Sequence, residues 1–428
     1  MKSEISVVIP TLDNFIDVKK VIFSIDSQDL LPSEIILADS SSSSQIENNI
    51  TDLQLSVPIR YLRVGRAYKY DRLLYRLFYF SSLPFFKNRF PKGRAFPYEA
   101  TNAGASIARY KWIAFLDGST IPSKAWLKDY YELISKKNYD VIFGRTKYYA
   151  HTWFQELLRA STYGSIGHET APGSLMQTAK FLESHKIVEG VRSGGDIAWK
   201  MQIRDSLSYF LPEKNYLSYS TLPKSLFAAL KKFFIYQIHG SFLDIQNNVK
   251  DLYLGIILLL SIIIIPKWNY IVGWDSSFFI PHITKVFFLS LFLIVFISFT
   301  INRVFLRSFT RNSFRANSLK FFLFVLAVFS VINWNGVVAK WVEDSVWYIP
   351  HITKIFLAII FTASFLYRGI YFPLKNKIKT SYLFPLNWIL VGLLGILLDL
   401  VKAPGYILGA VLASFVRRKK FLKEDPSK

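Results

Sequence analysis

Two carboxylates in this chain stand where chemistry could use them. The first ends an apolar run, Lys111-Trp112-Ile113-Ala114-Phe115-Leu116-Asp117-Gly118-Ser119. The run reads as a strand buried on both faces, and the Gly-Ser pair forces a turn. Asp117 then falls at the C-terminal edge of a strand, where ligands bind in open α/β sheets. A carboxylate there can hold a divalent cation, and the cation a diphosphate. It can equally cap its own turn. The second is Asp196, in Ser193-Gly194-Gly195-Asp196-Ile197-Ala198-Trp199. After two glycines it suits a helix N-cap, with Lys200 four residues on as an ion-pair partner.

The elements that must position Asp117 are legible upstream. Ile5–Pro10 reads as a first strand, Val18–Ser27 has helical spacing, and Glu34–Asp39 reads as a second strand followed by the Ser40–Ser44 loop. Pro58–Val64 is a third strand, and 103–108 suits a short helix before the Trp112 strand. This rhythm means a parallel sheet with crossover helices. Residues 66–96 interrupt it with an aromatic, basic insert that suits either an extra packed helix or an interfacial segment.

The composition changes along the chain. Of 428 residues, 51% are hydrophobic and 17% aromatic, and the formal charge is +22. There is no cysteine, which excludes disulfides and thiolate metal sites. Residues 1–250 mix polar and apolar types. From Leu252 onward, apolar runs alternate with basic stretches: Leu252–Ile265, Val286–Ile301, Phe321–Ile332, Ile355–Tyr367 and Leu383–Leu398. Basic residues that flank apolar runs favour lipid over nucleic acid as a partner. The runs are shorter than the roughly 20 residues of a span, but flanking Trp, Tyr and small residues extend them. The basic loops 302–320 and 368–379 go to the cytoplasmic side by the positive-inside rule, with the N-terminal domain. Met1–Pro10 lacks the pattern of a signal peptide, which is consistent with that placement. The expectation is a multi-pass protein of the cytoplasmic membrane, with an in-plane or re-entrant final helix. Ile280-Pro281-His282-Ile283-Thr284-Lys285 recurs as Ile349-Pro350-His351-Ile352-Thr353-Lys354, a duplicated unit.

Taken in order, the motifs of residues 3–240 resemble the family 2 glycosyltransferases, whose sugar-nucleotide-binding domain has the GT-A fold. The resemblance implies donor-binding roles for Pro10 and Thr11 at the first turn and for Asp39 and Ser40 after the second strand. It implies the same for Asn102 in Phe96–Gly104 and for Asp117 and Ser119. In Ala171-Pro172-Gly173-Ser174-Leu175-Met176, Gly173 would lie in the floor beneath the acceptor, and Trp199 on the acceptor side. Asp196 would be the catalytic base. Three departures stand out. Ser119 replaces the second carboxylate of the family's Asp-x-Asp, Gly195 a frequent Glu, and Gln202 a frequent Arg. The Gln-x-x-Arg-Trp signature of processive synthases is absent, so one sugar per acceptor is expected.

The fold class implied is an α/β GT-A domain over 1–240, Rossmann-like and cytoplasmic, followed by an α-helical transmembrane region over 241–428. The activity implied is inverting transfer of one sugar from a nucleotide-diphosphate donor to a lipid-linked acceptor in surface polysaccharide or glycolipid synthesis. Asp117 would bind Mg²⁺ or Mn²⁺, less securely for want of a second carboxylate. Transfer to polyprenyl phosphate itself is the nearest variant. A transporter with a nucleotide-sugar-sensing domain is the alternative of another class. It would need polar groups inside the spans, and Asp399 is the main one.

Overall fold

The computed structural model describes residues 3–41, 43–65, 95–241, 243 and 361–420. Two compact units divide the chain: Met1–Leu243 with Arg368–Gly409, and Asp244–Tyr367 with Ala410–Lys428. The insert, the three runs between 252 and 332 and the duplicated segments lie outside the described residues, apart from 95–96.

In chain order the elements are β1 Ile5–Thr11, α1 Phe15–Asp26, β2 Glu34–Asp39, α2 Gln45–Ile50, β3 Ile59–Arg63 and α3 Pro97–Ser106. There follow β4 Trp112–Phe115, β5 Thr120–Pro122, α4 Trp126–Lys137, β6 Val141–Tyr148, α5 Trp153–Thr162, β7 Gly167–Gln177 and α6 Thr178–Ser184. Then come α7 Gly195–Ser206, β8 Tyr209–Phe210, β9 Leu217–Tyr219, α8 Leu226–Ser241, α9 Phe372–Lys375, α10 Thr380–Leu383 and α11 Asn387–Lys420. One open mixed sheet runs β3-β2-β1-β4-β7-β6-β9-β5, with β8 beside β6. The first four strands are parallel, and β7 joins them antiparallel. This sheet is consistent with a GT-A domain.

The apolar runs of β1, β2 and β4 reflect burial on both faces. Val7, Ile9, Ile35 and Leu37 face a core completed by Val18, Val21, Ile22 and Ile25, the i, i+3, i+4, i+7 stripe of α1. Val8, Ile36, Ile113 and Phe115 point the other way, into a second core with Phe143, Phe181 and Trp199. There α3 presses close on the sheet. A Cβ on Gly104 would lie 2.7 Å from Val8, so only glycine lets the helix sit there. Strand order reverses between β1 and β4, and the crevice beyond their C-terminal ends is where such sheets bind ligands.

Residues 368–409 pack on this domain. Ile378, Leu383, Val391, Leu394 and Leu398 bury against Leu157, Leu158 and Ala160 of α5 and Ala229 of α8. Arg368 makes a two-pronged ion pair with Asp399, at 2.7 and 2.6 Å, which Lys402 joins at 3.2 Å.

This corrects the expectation of a helical transmembrane region. Among the described residues, no helix is long and apolar enough to cross a membrane. The Leu383–Leu398 run is split by the turn at 384–386 between α10 and α11. In α11 the apolar stretch Trp388–Leu398 reaches about half the length of a span before Asp399, Lys402 and Pro404 intervene. The multi-pass cytoplasmic-membrane placement rested on such spans and is overturned with them.

Candidate active site

The two carboxylates meet at the sheet's switch point. Asp117 follows β4 on a tight turn closed by the Thr120 amide on its carbonyl at 3.2 Å. Gly118 keeps this turn against Val18 and the Pro10 carbonyl, 3.2 and 3.4 Å from where a Cβ would stand. Burial pushes the Asp117 carboxyl up to about 6, the Asp196 charge adds to this and Lys232 opposes it. The two carboxylates therefore feel each other's charge, although 79 positions separate them in the chain.

Asp196 lies in the first turn of α7, whose N-cap is Gly194 at φ +84°. The capping and ion-pair alternative is not what the fold builds. Gly194 caps the helix, and Lys200 donates to the Glu169 carbonyl at 2.7 Å and lies 3.8 Å from its carboxylate. Instead, the Tyr98 hydroxyl donates to Asp196 Oδ1 at 3.1 Å. Burial holds that hydroxyl well above the ordinary tyrosine value, so it remains a proton donor. The Tyr98 ring also explains Gly195: a Cβ there would come within 2.7 Å of it. A glutamate at 195 and an aromatic ring at 98 cannot share that space.

The remaining expected residues divide between the cleft and its scaffold. Thr11 donates to Asp39 Oδ1 at 2.9 Å, as does Ser41. Tyr61 and Arg63 donate to Asp39 Oδ2 at 2.8 and 3.2 Å. Asp39 is fully buried, so both its oxygens are engaged in tying β1, β2 and β3 together. Ser40 differs: its buried Oγ has no partner, an unmet donor at the sheet edge that a ligand oxygen would satisfy. Pro10 sits at the end of β1, facing the Gly118 turn. Ser119 lines a cavity of about 500 Å³ with Lys20, His151, Thr152, Thr221 and Lys224.

Asn102 is consumed by bracing. Its amide donates to the Ile187 carbonyl at 2.7 Å and to Glu189 at 3.1 Å, and its oxygen accepts from the Ile187 amide at 3.1 Å. This pins α3 to the loop that leads into α7. Gly173 is buried at φ +88°, with Leu217 where a Cβ would go and its carbonyl accepting from Trp126 at 3.0 Å. Trp199 is fully buried, its indole donating to the His185 carbonyl at 2.7 Å and its ring against Phe115 and Phe143. It holds α7 on the sheet, covered on all sides by protein.

Two further residues of this region, Tyr98 and Lys232, carry no sequence signal of their own as site residues. Tyr98 lay inside a stretch already singled out. Lys232 had no signal, standing among phenylalanines of α8. Its ammonium packs over the rings of Tyr219 and Tyr236 at 5.3 and 5.4 Å and donates to the Tyr219 hydroxyl at 3.4 Å. Burial pulls Lys232 down, but these tyrosines and Tyr163 more than offset it, leaving it above the ordinary lysine value. It is thus a cation held among tyrosines whose charge reaches Asp117, with Tyr148 stacked on Tyr163 at 3.9 Å.

The residues fit a divalent cation only in part. Among the described residues no group of three or more His, Cys, Asp or Glu could hold a metal ion. Asp117 and the nearby Asp196 would have to be supplemented by donor oxygens and water, consistent with Ser119 in place of a carboxylate.

Residues 82–187, about a quarter of the chain, match the family described as Glycosyl transferase family 2. That segment holds Asn102, Asp117, Ser119 and Gly173. No curated protein matches the chain. Among solved structures, TarS 1-349 of S. aureus in complex with UDP-GlcNAc is 16% identical, covers 74% of this chain and 79% of that one, and has a TM-score of 0.36. The same protein with UDP is 15% identical over 77% and 89%, with a TM-score of 0.38. Likeness at this level carries no inference about substrate.

Proposed function

We propose that this chain is an inverting glycosyltransferase that takes one sugar from a nucleotide-diphosphate donor. The observation that supports the reading is the charge coupling of Asp117, at the C-terminal end of β4, with Asp196, which Tyr98 braces, within and just beyond the segment that matches family 2. In the proposed step, Asp196 takes the acceptor hydroxyl's proton while the acceptor oxygen bonds to the anomeric carbon. The bond from that carbon to the diphosphate breaks, and the electron pair leaves with the diphosphate. The proton then passes from Asp196 to solvent. Asp117 and Lys232 flank the place where the leaving charge develops. Tyr98 holds the Asp196 carboxylate in place. A bound Mg²⁺ or Mn²⁺, held by Asp117, would add positive charge against the diphosphate.

The apolar, basic C-terminal half supports a lipid-linked acceptor of surface polysaccharide or glycolipid synthesis. The tyrosine wall offers ring faces suited to a saccharide. A thermal-shift screen of nucleotide-sugars with and without Mn²⁺ or Mg²⁺, followed by a transfer assay with the stabilising donor, tests this. A donor that raises the melting temperature and yields labelled glycolipid is expected. If no nucleotide-sugar binds, the reading fails.

A further inference from the structure

We propose that the outer face of α11 docks in the plane of an anionic lipid surface. The inner face of this helix, Val391, Leu394 and Leu398, is spent on the domain. The outer face is not. Leu386, Leu390, Leu393, Leu397 and Leu400 are 66, 40, 43, 42 and 62% exposed. The 3-4-3 spacing of Leu390, Leu393, Leu397 and Leu400 puts them on one stripe of the helix, and Leu386 stands in the turn just before it. Phe384 and Tyr371, both exposed, stand near its start, the aromatic type found at membrane–water boundaries.

The charge beside the stripe selects the occupant. From 361 to 398 the chain has no acidic residue, and it carries Arg368, Lys375, Lys377 and Lys379. The three lysines are exposed and lead directly into α10 and α11. Asp399, the first acid, is neutralised by Arg368 and Lys402. An apolar stripe beside exposed cations is the pattern of an interfacial helix on anionic lipid. A second copy suits it less. A paired-helix seam is flanked by complementary charges, whereas Ile389, Ile396 and Val401 beside this stripe are uncharged. A second copy would also bring its own lysines against these. The helix lies on the surface and does not span it, in keeping with Asp399, Lys402 and Pro404 inside it.

The chain has no native cysteine, so Leu393→Cys in the full-length protein gives a single reporter. A water-soluble maleimide should label it rapidly in lipid-free protein, and vesicles of phosphatidylglycerol with phosphatidylcholine should protect it, while phosphatidylcholine alone should not. Slow labelling before vesicles are added would mean that other protein covers the stripe. Labelling unchanged by anionic vesicles would mean that no lipid docks there. A concentration-dependent dimer lost on Leu393→Ser with Leu397→Ser would assign the face to a second copy. Each of these results overturns the proposal. In co-sedimentation, changing Lys375, Lys377 and Lys379 together to Gln should weaken binding to anionic vesicles about a hundredfold, at about 1 kcal/mol per cation. Binding indifferent to that change would remove anionic lipid as the partner. None of these readouts depends on sugar transfer.

Discussion

At the scale of the residue, Asp117 and Tyr98 make separate predictions. The folded protein raises the Asp117 carboxyl from 3.8 to about 6, chiefly by burial. A raised acid disfavours its ionised form in the folded state. The cost is therefore absent below the unfolded value, grows as pH rises between the two, and is complete above about 6. Its upper bound is about 3 kcal/mol, at 1.36 kcal/mol per unit. Asp117→Asn should raise the melting temperature of the ligand-free protein near neutral pH and leave it unchanged below about pH 4. Calorimetry across pH checks this, and equal melting temperatures near neutrality would contradict it. Cation affinity at Asp117 should rise with pH through about 6, because binding displaces the proton. For Tyr98, the hydroxyl serves Asp196 and not the donor. Tyr98→Phe should lower kcat about tenfold, the loss of a hydrogen bond to a charged group, with donor affinity held.

At the scale of the element, the site depends on how α3 and α7 are held to the sheet. Trp199 buries its whole side chain against Phe115 and Phe143. Trp199→Ala should cost about 3–5 kcal/mol of stability by denaturant unfolding. A loss of transfer with stability intact would instead place Trp199 at the acceptor. These elements also show what the sequence could and could not tell. The apolar runs of β1, β2 and β4 are legible because a strand buried on both faces admits little else. The early start of α3 is harder to read: 103–108 is the visibly helical part, yet the helix begins at Pro97, where proline suits the first turn. Trp199 beside Asp196 looks like a site residue in sequence, since adjacency along the chain does not say which side of a helix faces the core. Asn102 and Asp39 were legible as important polar positions. That their hydrogen bonds go to the Ile187–Glu189 loop and to β3 depends on long-range contacts no local pattern encodes. Gly195 was legible only as a departure, and the Tyr98 ring supplies its reason.

At the scale of the whole molecule, hydropathy misled because apolar runs alone do not decide between spanning and packing. The run from Leu383 to Leu398 spends one face on α5 and α8, and its exposed face is a stripe beside cations, not a girdle. The Arg368–Asp399–Lys402 cluster, too polar for a span, ties the start of this segment to α11. Asp399→Ala should therefore lower stability, by about 1 kcal/mol for a partly exposed pair, without touching donor binding. The account as a whole stands on the division of labour between the two carboxylates of one cleft. Its most direct test is the donor's dissociation constant and single-turnover transfer rate, measured side by side for Asp196→Asn. The account predicts donor affinity within about twofold of the parent and transfer reduced by about 10²–10⁴, the range of a lost general base. Transfer at the parent's rate would contradict it.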